Sequence, residues 1–370
     1  MADSGSMTSP ISRSATHVAI VSRAAFGGHP RYCAELANAL AGEGASVEII
    51  EPAAAFRANP HVAGVSNHAI SGPDSGWFRQ EMQIAKTLLQ RRKSGGTVVF
   101  QDTSPIRVAL IALLRAATAW TPVTMVHNTT SHLTSARERL KHAAALAALT
   151  VPHRVLVHNE RQRSELGELA LVRSTQIDVV PHGTWSTAPE LVLSNGAGER
   201  RNLLFFGVMR NNSGLDVLAA AAPTIDSEFA DANIRVVGTA TTQEISEQLA
   251  SLQRFSTIDA RTAFVSDDEA AELFAWAGFV LIPYTDYSSE SGVLMQAISH
   301  GVPVITTPGT SVADRVAELD IGPAPTGSFL DQLRAGLTAS DADYARWQAN
   351  LVSARESFRW DEHAQILLHG

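Results

Sequence analysis

Residues 281–305 read LIPYTDYSSESGVLMQAISHGVPVI, and the order of residue types here decides the fold class. The apolar run Phe279–Ile282 has the length of a buried strand. Pro283 and Tyr284 end it, and a polar loop follows. Ser291-Gly292 then opens a helix that runs through Val293, Leu294, Ala297 and Ile298. Gly301-Val302-Pro303 stops that helix, and Val304-Ile305 begins a second strand. A strand, a Ser-Gly loop and a helix N-terminus make an anion site. The first helical N–H groups lack intrahelical acceptors and point at whatever stands before them. Glycine lets a bulky phosphate approach the backbone.

The same alternation extends outward from this stretch. In the first half, strands are expected at 17–22, 47–50, 97–101, 123–127, 154–158 and 177–180, with helices at 31–41, 78–92, 108–119 and 136–148. The second half restarts with strands at 203–207, 234–238 and about 263–265, and helices at 215–222, 242–254 and 267–277. Strands alternating with helices imply parallel sheets covered on both faces. The fold class is therefore α/β, with two doubly wound Rossmann-like domains facing a central cleft. Ligands in such sheets bind beyond the carboxyl ends of the strands. The segment 184–200, with Pro189, Asn195 and Gly196, reads as a linker. The domains are expected at 17–188 and 189–355, behind a Ser-rich tail at 1–16.

Bulk properties agree with a two-domain globular chain. The 370 residues are 45% hydrophobic, and no apolar run is long enough to span a bilayer. The tail has no apolar core, so it does not read as a signal peptide. The lone cysteine, Cys33, excludes an internal disulfide framework and fits a reducing cytoplasm. It shares a helical face with Leu36, Ala37 and Leu40, which reads as core. The net charge of −8 divides into +5 up to residue 188 and −13 beyond it. That split supports the domain boundary, and it is compatible with an anionic acceptor or a peripheral contact with the inner membrane face. The clusters Arg91-Arg92-Lys93 and Arg137, Arg139, Lys141 fall short of a polybasic anchor. An acidic chain without a basic aromatic motif makes no nucleic-acid partner.

The stretch quoted first resembles the donor-binding segment of GT-B glycosyltransferases of the GT4 family. Four further pieces resemble that family in order: Phe26-Gly27-Gly28-His29 in the first strand–helix turn, Val126-His127-Asn128 at a strand end, Asp178-Val179-Val180-Pro181-His182-Gly183 entering the linker, and Phe205-Phe206-Gly207-Val208-Met209-Arg210 through Gly214. The resemblance implies that His127 hydrogen-bonds the transferred sugar. It implies that Arg210 clamps the donor diphosphate and that Glu290 contacts sugar hydroxyls. Donor contacts are implied at Gly27, Gly28, Asn128, Ser213, Gly238, Ser291, Gly292, Val293 and Gln296. It also implies a closing helix, about 356–370, that crosses back onto the first domain.

Two positions depart from the family. Its second cation, a lysine, falls at Ser213, and no lysine follows Lys141. The second acid of its signature loop falls at Gln296 or Ala297. Asp341-Ala342-Asp343 is a DxD, but its place after Ser340 suits a helix N-terminus better. His127 with His132 lacks metal-site spacing. No metal or cofactor is expected beyond the donor, a UDP- or GDP-linked sugar. The expected function is transfer of a hexose, with retention, to a glycan, lipid-linked or small-molecule acceptor. The alternative is a weak or inactive GT-B protein that binds nucleotide or acts as a scaffold in glycan assembly.

Overall fold

The computed structural model describes residues 16–25, 27–58, 64–91, 93, 95–104, 106–129, 140, 143–144, 146, 149, 151, 153–168, 177–185 and 199–369. The expected tail, the expected helix at 136–148 for the most part, and most of the linker lie outside them.

The first sheet holds seven parallel strands in the order β3-β2-β1-β4-β5-β6-β7. They are β1 His17–Val21, β2 Ser46–Pro52, β3 Val65–Ile70, β4 Gly96–Phe100, β5 Trp120–Met125, β6 Arg154–Val157 and β7 Ile177–Val179. Helices α1 Gly28–Gly42, α2 Ala53–Ala58, α3 Trp77–Gln90, α4 Arg107–Ala117 and α5 Glu160–Glu168 connect them. The second sheet is also parallel, in the order β10-β9-β8-β11-β12. Its strands are β8 Asn202–Met209, β9 Asn233–Ala240, β10 Ile258–Thr262, β11 Phe279–Ile282 and β12 Val304–Thr306. Its helices are α6 Leu215–Glu228, α7 Gln243–Leu252, α8 Asp267–Trp276, α9 Gly292–His300, α10 Ser311–Leu319, α11 Phe329–Leu337 and α12 Asp341–Ser357, and α13 Trp360–His369 ends the chain. Both sheets reverse their winding at a central pair, β1/β4 in one and β8/β11 in the other. Those switch points leave crevices beyond the strands' carboxyl ends.

Two expectations need correction. β3 is absent from the sequence reading because its interior, Ser66-Asn67-His68, is polar; it is an edge strand bonded only to β2. β10 lies at Ile258–Thr262 rather than 263–265. There Ile258 and Ala260 are buried while Asp259, Arg261 and Thr262 are exposed, an alternation suited to an edge.

The cores follow the sheets. Ile20, Leu36, Leu40, Val99 and Leu156 pack with Trp360, Ala364 and Leu367 of α13. Ala354 and Phe358 belong instead to the core of the second sheet, with Ile282 and Leu294. The chain therefore crosses between domains twice, at 180–185 and at 358–360. The crossings are bonded together: Thr184 N–H donates to the Phe358 carbonyl (2.8 Å) and Trp360 Nε1–H to the Thr184 carbonyl (2.6 Å). Gly183 makes room for this. A Cβ there would lie 2.5 Å from the Trp360 ring, so close approach, not a special backbone angle, demands the glycine. Cys33 is fully buried, and burial pushes its thiol pKa up. No helix of the described residues is long and apolar enough to cross a membrane.

Candidate active site

The second-domain side begins where β8 ends. Arg210 N–H donates to Ser213 Oγ (2.9 Å), and Ser213 N–H donates back to the Arg210 carbonyl (2.9 Å). Ser213 is 7% exposed, and its hydroxyl also faces the Val208 carbonyl at 3.4 Å. The residue standing where the family has a lysine therefore uses its side chain to shape the loop that presents Arg210. Arg210 itself is exposed and forms no ion pair with a described residue. Gly214 sits at φ 76°, and a Cβ there would lie 1.8 Å from the Pro283 carbonyl oxygen. This packs the loop after β8 against the loop after β11. Gly238, expected at the donor, faces its neighbour strand: a Cβ would lie 1.8 Å from the oxygen of Gly207, its register partner.

The loop after β11 leads into α9. Ser291 is its N-cap, with Oγ accepting from Leu294 N–H at 3.2 Å. Gly292 and Val293 follow as the first helical residues, whose N–H groups have no acceptor within the helix. The indole N–H of Trp185 donates to the Gly292 carbonyl at 3.2 Å. The Tyr284 and Tyr287 rings meet at an incline with centroids 4.7 Å apart, and burial raises both phenols above their ordinary range. Arg210 is near enough to both to oppose that rise.

Glu290 is not a free acid. Its side chain is 3% exposed, and its Oε2 pairs with Arg315 Nη2 at 3.1 Å. Arg315 is also held by Glu318 (2.7 Å) and lies over the Phe358 ring. Burial raises the Glu290 pKa; Arg315 and a hydrogen bond from Asn159 oppose it without cancelling it. The carboxylate expected on the sugar is thus engaged in tying its loop to α10. Gln296 has a buried Oε1 that bonds to no described residue. Asp341 and Asp343 occupy the first turn of α12, where Ser340 Oγ accepts from Asp343 N–H; they are helix-end residues.

On the first-domain side, Gly27 adopts φ 84°, and Gly28 has open space where a Cβ would stand. His29 follows, partly exposed, tilted against His127 with ring centroids 4.4 Å apart and hydrogen-bonded to no described residue. His127 is the opposite case. Its Nδ1 lies 3.0 Å from His158 Nε2, its Nε2 lies 2.9 Å from Gln101 Oε1, and its carbonyl accepts from Gln162 Nε2 at 2.9 Å. The proton positions follow by elimination. The Val180 carbonyl, 3.0 Å from His158 Nδ1, only accepts, so that nitrogen carries a hydrogen and His158 Nε2 is a bare acceptor. His127 Nδ1 must then donate. Burial holds both rings below the ordinary histidine range, His158 at about 4, with neighbouring His29, His158, His182 and His363 adding to the effect at His127. A neutral His127 leaves Nε2 bare. Gln101 then meets it with its amide nitrogen, the atom otherwise buried without a partner.

His158, Gln101 and His29 were not singled out as site residues in the sequence. Three strand ends bring them to His127: Gln101 follows β4, His158 follows β6, and His29 follows the turn after β1. A strand-terminal polar residue was the available signal. Four imidazoles, those of His127, His158, His182 and His363, gather around the buried Tyr32, and His29 packs on His127. Among the described residues no three His, Cys, Asp or Glu side chains are arranged to hold a metal.

The two sides meet across the cleft. Ser289 Oγ–H donates to Asn128 Oδ1 (2.7 Å), Ser288 Oγ lies 3.1 Å from Thr129 Oγ1, and Asn159 Nδ2 donates to the Ser288 carbonyl (3.2 Å). Arg31 pairs with Asp267 at 3.0 Å and Arg161 with Asp314 at 2.8 Å.

Residues 200–335 match the family model described as Glycosyl transferases group 1. No curated protein sequence matches the chain. Among solved structures, WaaG, a glycosyltransferase involved in lipopolysaccharide biosynthesis, aligns with TM-score 0.69 at 18% identity, over 95% of this chain and 100% of its own. Anabaena HepE in complex with UDP and glucose aligns with TM-score 0.68 at 11% identity, over 95% and 98%. An E. coli trehalose-6-phosphate structure bound with UDP-2-fluoro glucose aligns with TM-score 0.70 at 10% identity, over 96% and 99%. The chain thus has the GT-B fold, and residues 200–335, within its second domain, are similar to the group 1 glycosyltransferases.

Proposed function

We propose that the protein is a glycosyltransferase that moves a hexose from a nucleoside diphosphate sugar to an acceptor hydroxyl. One observation carries the reading: Arg210, without an ion pair to a described residue, and the open N-terminus of α9 flank the β8/β11 switch point. A guanidinium and a helix N-terminus are a diphosphate cradle. The leaving diphosphate is where charge develops during transfer, so preorganised donors there lower the barrier. The helix end and Arg210 carry that charge without a divalent ion. UDP-sugar ligands in the structural neighbours support this donor class. Retention follows from the family resemblance.

His127 orients the sugar through Nε2, a sugar hydroxyl taking the place of the Gln101 amide. Glu290 shapes the loop before α9 through Arg315. Acceptors, whether glycan, lipid-linked or small molecules, are held by first-domain loops whose sequence matches no readable pattern. A peripheral membrane contact through the more basic first domain fits a lipid-linked acceptor. Ser213 favours the second reading, a nucleotide-binding protein of low activity, because it brings no charge.

Calorimetric titration of UDP, GDP, ADP and dTDP without metal, on the native chain and Arg210→Ala, tests the assignment. One nucleotide binding selectively, and roughly 10- to 100-fold more weakly in the variant, is the expected result. Binding of none would sink it.

A further inference from the structure

We infer that His29 supplies, from the first domain, the second positive charge that Ser213 does not bring to the donor diphosphate. The inference rests on the nucleotide-sugar reading above. His29 stands at the first turn of α1, beyond the β1/β4 switch point, its ring tilted by 41° against that of His127 with centroids 4.4 Å apart. Its ring nitrogens bond to no described residue, whereas both nitrogens of His127 are engaged. It is therefore the imidazole of the cleft with free edges. Arg210, reaching in from the other domain, is close enough to act on it electrostatically.

The charged groups around His29 set its response. Asp102, at the end of β4, favours its protonation, but that carboxylate is already held by Arg107 (3.0 Å) and Arg23 (2.8 Å). Arg210 opposes protonation from the end of β8, and burial opposes it most. His127 beneath it, His158 and His182 are neutral rings. Without ligand the sum keeps His29 below the ordinary histidine range. A diphosphate seated on Arg210 reverses the local field: its oxygens offset the guanidinium and attract an imidazolium. A proton then moves from solvent to a free ring nitrogen of His29, and the imidazolium donates to a phosphate oxygen. No covalent bond forms or breaks. The charge missing at Ser213 is thereby restored, but only when donor is bound.

Binding should therefore take up protons. UDP and GDP are titrated into the full chain in two buffers of different ionisation enthalpy, and affinity is followed from about pH 6 to about pH 8, where histidine changes charge. Expected are net proton uptake and an affinity that falls as pH rises. His29→Gln should lose the uptake, bind roughly tenfold more weakly at the acidic end, and converge with the native chain at the basic end. His29→Lys, charged throughout, should bind without proton uptake and better than the Gln variant. Nucleotide binding without proton uptake, or uptake unchanged in His29→Gln, overturns this inference and leaves the nucleotide-sugar reading standing. No nucleotide binding overturns both.

Discussion

His158 Nε2 and His127 Nδ1 face each other at 3.0 Å, a buried and a half-buried imidazole sharing a single hydrogen. The Val180 carbonyl on the far side of His158 makes His127 the donor. Labelled-histidine NMR should therefore show a pyrrole-type Nδ1 and a pyridine-type Nε2 at His127. In His158→Phe the constraint disappears, and the half-buried His127 donor loses its partner, at a cost of about 1–3 kcal/mol. A His127 found in the other tautomer in the native chain contradicts the assignment.

Acid should unfold this chain early. His158 and His182, buried, have pKa values lowered to about 4 and about 3. Unfolded, they bind protons near the ordinary histidine value, so the unfolded state holds more protons between there and the lowered values. Stability is fully present above the unfolded pKa and lost as pH falls through that window. His158 alone contributes on the order of 3 kcal/mol. Urea midpoints between about pH 7.5 and 4.5 measure it, and His158→Gln should flatten the slope.

The Glu290–Arg315 pair is a buried contact whose halves depend on each other. Arg315→Met strands a carboxylate that is 3% exposed, with an expected loss of roughly 3–5 kcal/mol. Adding Glu290→Gln should recover much of it. A double-mutant cycle by chemical denaturation decides, and additive losses would mean that the pair is not coupled.

Two glycines should behave oppositely. Gly238→Ala sets a Cβ 1.8 Å from the Gly207 oxygen, forcing β8 and β9 apart, and soluble folded protein is not expected. Gly28→Ala meets open space and should change stability by no more than about 0.5 kcal/mol. Any loss of nucleotide affinity in Gly28→Ala then reports ligand proximity rather than folding.

Arg210→Ala removes an exposed side chain from a loop whose shape is kept by the backbone and Ser213. Thermal stability should hardly move, while nucleotide affinity falls roughly 10- to 100-fold, the worth of charged hydrogen bonds to an anion. Ser213→Lys, although it restores the family's cation, also deletes the hydroxyl that accepts from Arg210 N–H. A gain in affinity there would show that charge outweighs loop shape.

The segment 281–305 was legible because strand, cap and glycine stop are each local signals. Ser291 caps its helix, and β11 and β12 flank it, as read. Elements whose residues are buried on both faces were also plain. β3 was not, because an edge strand needs no apolar interior, and β10 was displaced because its exposed face breaks the run. The roles of site residues were less visible than their positions. Nothing near Glu290 in sequence announces Arg315, 25 residues on, and nothing near His127 announces Gln101 or His158. Those partners come together only because successive parallel strands end at the same edge.

Trp185 touches both sides of the joint between the domains. Its ring carries the Arg31 guanidinium at 4.6 Å, and its indole N–H holds the Gly292 carbonyl. Points near a pivot travel least when a hinge swings. The start of α9 is therefore almost stationary during any rocking of one half upon the other. Under the donor reading proposed above, a diphosphate held at that helix end would keep its place while the rest of the first domain moves.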